Sequence, residues 1–255
     1  MSDNNFKRSS SFDVRFDQGR HWRAKIGFVV LAMEQTIEED VFRLAPNGVG
    51  VHFSRVRMEN AVNVDTLEAV GRELAGAAAL ILPDEKLDVV CYACTSGSLV
   101  LGEKKVANEL NKGAPTAIAT SLITGVIHAL EAFKVRRIVV GTPYIDEINK
   151  MEKEYLEDQD FDVLDIQGLN ITNDADMVKV APDFLKEFAL SIDTPEAEAI
   201  FISCGALRSL DVVDEIEKAV KKPVIVSNQA MIWETFRLAG IQDRIDGYGR
   251  LLREF

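Results

Sequence analysis

The chain runs through one succession of elements twice. An apolar run, KIGFVVLA at residues 25–32, leads into the helical pattern TIEEDVFRLAP, the strand pattern VGVHFSRVRM and the long helical pattern VDTLEAVGRELAGAAALILP. A third apolar strand, DVVCYACTSGS, then feeds the helix SLVLGEKKVANELNKG, and PTAIATSLITGVIHALEAF adds a short strand and a helix. At RRIVVGTPY the succession restarts. Ile26 and Ile138 are 112 residues apart, Cys94 and Cys204 110, Thr116 and Val224 108. An offset this constant marks an internal repeat.

Alternating strands and helices require right-handed crossovers, hence parallel sheets with helices on both faces. The expected fold is α/β: two similar doubly wound lobes with parallel four-stranded sheets, related by a pseudo-two-fold axis, with the active site in the cleft between them. The expected boundaries are an N-terminal arm over 1–23, a first lobe over 24–115 plus 230–255, and a second lobe over 116–229.

Several function classes lose support from composition. No apolar run reaches the roughly 18–20 residues of a membrane helix, and the polar start MSDNNFKRSSSFDVRFDQGRHWR lacks the apolar core of a signal peptide. A cytoplasmic protein is expected, with no membrane partner. The net charge of −12, with Lys and Arg scattered, disfavours nucleic acid. Cys91 and Cys94 form a C-x-x-C without a second such motif to complete a zinc site, and His21, His52 and His128 lie apart, so no metal is expected. There is no G-x-G-x-x-G after a strand, no P-loop and no G-x-S-x-G. No cofactor is expected.

In doubly wound sheets ligands gather at the carboxyl ends of the strands. Cys94 and Cys204 each end an apolar strand at equivalent places in the two halves, so the two thiols are candidates to flank one small substrate. A buried cysteine is commonly inert, and Cys91, inside its strand, is assigned to the core. Thr95, Ser96, Gly97 and Ser98 after the first thiol, and Gly205 and Ala206 after the second, offer backbone N–H groups; ordinary turn chemistry uses the same residues. Tyr144, past a strand end, is either a hydrogen-bond donor to substrate or a rim aromatic. Glu34 is either a partner for a cationic group or a solvated loop charge, and Asn173 lies in a loop that also suits an Asx turn.

The segments YACTSGS, GTPYIDEIN, ISCGALRSLD and the closing GYGRLLREF together resemble the aspartate/glutamate racemase superfamily. The similarity is to its branch of maleate cis-trans isomerases, arylmalonate decarboxylases and ectoine-utilisation proteins, and it covers nearly the whole chain after the arm. It implies that Cys94 is the thiol that adds to a substrate double bond and Cys204 the one that supplies a proton. In the decarboxylases glycine replaces the first cysteine, so two thiols favour an isomerase or racemase. The resemblance also implies that Thr95, Ser96 and Tyr144 bind carboxylate, that Asn173 is the isomerase asparagine, and that the protein is a homo-oligomer. Glu34 stands where maleate isomerases carry asparagine, and an anion there would repel a second substrate carboxylate. An amino or amide group on a small carboxylate is expected instead. The alternatives are a decarboxylase with Cys204 as sole proton donor and, outside the enzymes, a two-lobed carboxylate-binding module.

Overall fold

Residues 9–59 and 61–255 are described here from a computed structural model. The continuous apolar runs become strands because a parallel sheet covered on both faces buries every side chain. Ile26, Phe28, Val89, Cys91, Ile138, Val140 and Phe201 are all fully buried.

The first sheet has the order β2 (Val49–Val56), β1 (Ala24–Leu31), β3 (Val89–Tyr92), β4 (Ile118–Ser121), and every pairing is parallel. The second has the order β6 (Asp162–Gly168), β5 (Arg137–Thr142), β7 (Ala199–Ile202), β8 (Val224–Val226), again all parallel. The two lobes therefore repeat one topology. Phe28 stands opposite Cys91 in the first ladder, and Val140 opposite Phe201 in the second.

Helices α1 (Ile37–Leu44), α2 (Val64–Val70), α3 (Leu74–Ala79), α4 (Thr95–Leu101), α5 (Glu103–Gly113) and α6 (Leu122–Ala132) connect the first lobe. Their counterparts are α7 (Asp146–Asp158), α8 (Asp174–Met177), α9 (Pro182–Ile192), α10 (Val213–Val220) and α11 (Ser227–Leu238), with α12 (Gly249–Glu254) closing the chain. Helices α6 and α11 each follow the last strand of a lobe and pack against one another, joining the lobes.

Four details depart from the sequence-based expectation. The single helix expected over 64–83 is two, interrupted at residues 71–73. The helix after Cys94 is also two, because Gly102 takes φ +77°, a conformation only glycine adopts freely. β4 completes the first sheet, so the boundary expected after residue 115 moves past that strand. α12, expected with the first lobe, packs on α10 and β8 of the second as well as on α11.

Residues 9–23 form no helix or strand, and Phe12, Val14 and Phe16 are exposed. The first eight residues of the expected arm lie outside the described residues. Arg23, just before β1, is anchored to Asp243. No helix among the described residues is long and apolar enough to cross a membrane.

Candidate active site

In both sheets the first and third strands are neighbours whose outgoing connections diverge, which opens a crevice at their carboxyl ends. Glu34 follows β1 and Cys94 follows β3; Tyr144 follows β5 and Cys204 follows β7. All four line one cavity, together with Thr95, Ser96 and Gly205. The repeat thus brings two thiols, one from each lobe, to the lining of a shared space.

Cys94 is the residue before α4, where its sulfur accepts the Gly97 N–H at 3.3 Å and lies 3.7 Å from the Ser96 hydroxyl. Burial pushes this thiol up to about 11; the Gly97 N–H and the Ser96 hydroxyl draw it back, and the nearby Asp174 charge opposes ionisation. Gly97 has no room for a side chain, because a Cβ there would fall 2.2 Å from the Tyr92 hydroxyl. That close approach keeps the N–H donor beneath the sulfur.

Burial also raises Cys204 well above the ordinary thiol value, with Asp174 adding to it, the Tyr144 hydroxyl and the Ala206 N–H opposing it, and Glu34 adding a smaller push. Its backbone N–H donates to the Ser227 hydroxyl at 2.9 Å, and its sulfur lies 3.9 Å from the Met177 sulfur. Cys204 holds φ +94°, a left-handed conformation that costs a non-glycine residue about 1–3 kcal/mol. We therefore expect Cys204→Gly to be more stable than Cys204→Ala by about 1 kcal/mol in urea denaturation. That reverses the usual order, in which glycine is worse by about 0.5–1 kcal/mol. The usual order at this position would contradict the strain.

The other expected site residues fare differently. Glu34 is buried, and its Oε1 accepts the N–H groups of Gln35 (2.9 Å), Thr36 (2.5 Å) and Ile37 (3.0 Å) at the start of α1. It is no solvated loop charge. Burial raises its pKa against those three N–H groups. Thr95 bonds its hydroxyl to that of Ser227 at 3.1 Å, so a Thr95–Ser227–Cys204 chain ties the two thiol segments together. Tyr144 is buried, fixed by its N–H to the Thr142 hydroxyl at 3.0 Å. Gly205 packs tightly: a Cβ there would meet Ile37 at 2.8 Å.

Asn173 does not line the cavity; its amide donates to Asp176 at 3.4 Å. The next residue, Asp174, does line it, with Oδ2 buried and without a partner among the described residues. Burial pushes Asp174 up to about 6, with the Glu34 charge adding. His21, His52 and His128 all lie outside the cavity, His128 bonded to Glu234 at 2.9 Å.

Two segments complete the walls, Met58 and Val62 from the first lobe and Asp174 and Met177 from the second. They are joined by an antiparallel bridge between Ala61 and Asn173, with the Val62 N–H donating to the Thr172 carbonyl at 3.0 Å. The cavity they close has a volume of about 20 Å³, close to what a single water needs. On that volume we expect a substrate of several carbons to enter only when the segments part.

Near Tyr144 lies a further buried acid. Glu152, on α7, is fully buried, and neither carboxyl oxygen has a hydrogen-bond partner among the described residues. Burial pushes it up to about 7, with the Ser203 hydroxyl drawing it back. Its proton is held more tightly in the folded chain, so its contribution to stability is complete below its ordinary value of 4.5 and is lost as pH rises through 7. Asp40, pushed up to about 7 mainly by burial, acts in the same sense. Thermal stability is expected to fall between pH 5 and pH 8. Glu152→Gln should flatten that fall and gain about 1–3 kcal/mol at pH 8; equal slopes in the two proteins would contradict the assignment.

The chain is similar to known proteins over most of its length. The family model described as arylmalonate decarboxylase matches residues 50–252. A maleate isomerase of Nocardia farcinica is 27% identical over 242 residues, covering 90% of this chain and 96% of that protein. An arylmalonate decarboxylase of Bordetella bronchiseptica is 28% identical over 239 residues, covering 90% and 96%. The solved structure of a Nocardia farcinica maleate cis-trans isomerase superimposes with a TM-score of 0.82 at 25% identity, over 91% of this chain and 98% of that one.

Proposed function

Since the chain belongs to the arylmalonate decarboxylase family, we propose that it is a cofactor-independent isomerase or racemase of a small carboxylic acid, with Cys94 and Cys204 as its reacting groups. The observation that carries this reading is the pair of thiols on opposite lobes, both facing one cavity. Membership covers isomerases and decarboxylases alike, and the second thiol favours the former.

In a racemisation, the Cys94 thiolate takes the proton from the carbon next to the carboxylate, and the Cys204 thiol gives its own to the opposite face. One thiol gains the proton the other loses, so the enzyme ends as the mirror of its starting state. In an isomerisation, the Cys94 thiolate adds to an activated alkene while Cys204 protonates the neighbouring carbon. Rotation about the resulting single bond and loss of the same proton and thiolate then release the product. Cys94 suits the thiolate role because Gly97 and Ser96 both donate toward its sulfur, while Cys204 is held more firmly protonated. Thr95, Ser96 and Tyr144 are the proposed carboxylate contacts. A homo-oligomer in the cytoplasm is the proposed setting.

Incubation in deuterated water with a panel of amino acids, maleate and phenylmalonate, followed by NMR, tests the reading. A product isomeric with its substrate, formed without carbon dioxide, is the expected result. The decarboxylase reading has support from the Bordetella relative and predicts carbon dioxide release from phenylmalonate that survives Cys94→Gly.

A further inference from the structure

Tyr92 ends β3, two residues before Cys94, and its hydroxyl is buried with no hydrogen-bond partner among the described residues. Side chains alternate along a strand, so residues 92 and 94 share a face while Cys91 points the other way. The alternation continues past the strand end: the Ala93 N–H still donates to the Val29 carbonyl at 2.9 Å, and Cys94 keeps extended angles of −147° and 121°. The phenol is thus directed to the turn that carries the reactive sulfur. Its tip meets Gly97, where a Cβ would fall 2.2 Å from the hydroxyl oxygen, and the Gly97 N–H is the one that donates to the Cys94 sulfur at 3.3 Å.

The repeat places an apolar residue at the equivalent point of the other lobe. Ile202 stands two residues before Cys204 and is fully buried. An apolar side chain therefore fits that layer of the fold, whereas a phenol leaves a hydroxyl unpaired, which costs stability. Only the Cys94 half bears that cost. Cys204 draws on the hydroxyl of Tyr144, which lines the cavity as a proposed carboxylate contact; Tyr92 lies outside the lining.

We propose that the Tyr92 hydroxyl is a latent donor for Cys94, idle beside the neutral thiol and turned onto the sulfur once the proton has left. This rests on the reading of Cys94 as the thiolate and gives that thiolate a third donor, after the Gly97 N–H and the Ser96 hydroxyl. A neutral thiol is a weak acceptor, whereas an ionised acceptor takes hydrogen bonds about twice as strong as neutral ones. The hydroxyl left unpaired in the resting state is the partner the reactive state needs. Burial holds the phenol's own proton well above its ordinary value, and the nearby Cys94 charge adds to that, so Tyr92 donates without ionising.

The other titratable groups that share the cavity with Cys94 are Glu34, Tyr144, Asp174 and Cys204, and no Lys, Arg or His lines it. Asp174 opposes the thiolate. With no cation to offset that charge, neutral donors hold the sulfur's negative charge, and Tyr92 is a positioning residue among them.

The test compares Tyr92→Phe with the wild-type chain, both full length and without ligand. Iodoacetamide alkylation of each cysteine is followed by peptide mass spectrometry between pH 8 and pH 10. Loss of one charge-assisted donor should lift the Cys94 titration by about one unit or more; because a more basic thiolate is also more nucleophilic, alkylation should slow by about 3–10-fold. Cys204 should react at its wild-type rate. The melting temperature should stay level or rise, since an unpaired buried hydroxyl has gone.

An unchanged Cys94 rate, equal slowing of Cys94 and Cys204, or a drop in melting temperature would overturn the assignment. The last would show the hydroxyl already paired in the resting protein. Turnover that survives Cys94→Ser would sink the two-thiol reading while the slowed alkylation in Tyr92→Phe stands. Turnover that needs Cys94, beside an unchanged alkylation rate, would do the reverse.

Discussion

Serine in place of either Cys94 or Cys204 is expected to cut turnover by about 10²–10⁴-fold, the range one positioned proton-transfer group contributes. A hydroxyl at the same place keeps the shape of the wall but gives up its proton far less readily than a thiol, so it neither forms the anion that starts the reaction nor serves as the acid that ends it. Both thiols are required in the proposed mechanism, so each single variant should fall to nearly the level of the double variant. Cys91→Ala is the control, because Cys91 lies within β3 opposite Phe28 and Thr120 and outside the cavity lining. It should keep its activity at some cost in stability, by kinetics and thermal melts together.

Cross-linking the two segments that close the cavity should abolish activity reversibly. Ala61 and Asn173 face each other in an antiparallel bridge, where paired Cα atoms lie about 4.5–5.5 Å apart, inside the span a disulfide accepts. The double substitution Ala61→Cys/Asn173→Cys, oxidised, is expected to lose nearly all turnover and to recover it with dithiothreitol. Single substitutions should be active under both conditions. The reason is steric: the closed space of about 20 Å³ excludes a multi-carbon acid. An adjoining groove lined by Arg57, Met58 and Asn63 shares Met58 with the cavity, and it is the route inward we expect once the segments part. Undiminished activity in the oxidised protein would show that substrate arrives elsewhere.

Much of this site is legible in the chain because a repeat fixes strand ends in pairs. Cys94 and Cys204 mark the same position in two units, and β3 and β7 have equal length. Glu34 and Tyr144 follow from the other two strand ends by the same offset. What the offset misses lies off the strands. Asp174 takes the place expected for Asn173 because α8 is a four-residue helix in a loop, too short for a hydrophobic period to tell which of two adjacent polar residues turns inward. Ser227 reads as an ordinary residue at the start of a helix, and its bridging of Thr95 to Cys204 is visible only in space. Apolar spacing suggested long helices over residues 64–83 and after Cys94, whereas Gly102 and residues 71–73 break them.

The central claim is that two thiols from different lobes face one small ligand, and alkylation protection tests it most directly. Whichever acid the protein turns over is titrated against iodoacetamide, and the modification of each cysteine is followed by peptide mass spectrometry, with Cys91 as internal reference. Cys94 and Cys204 should be protected together, with the same half-protecting concentration. Protection of one thiol alone, or of the two at clearly different concentrations, would contradict a shared site.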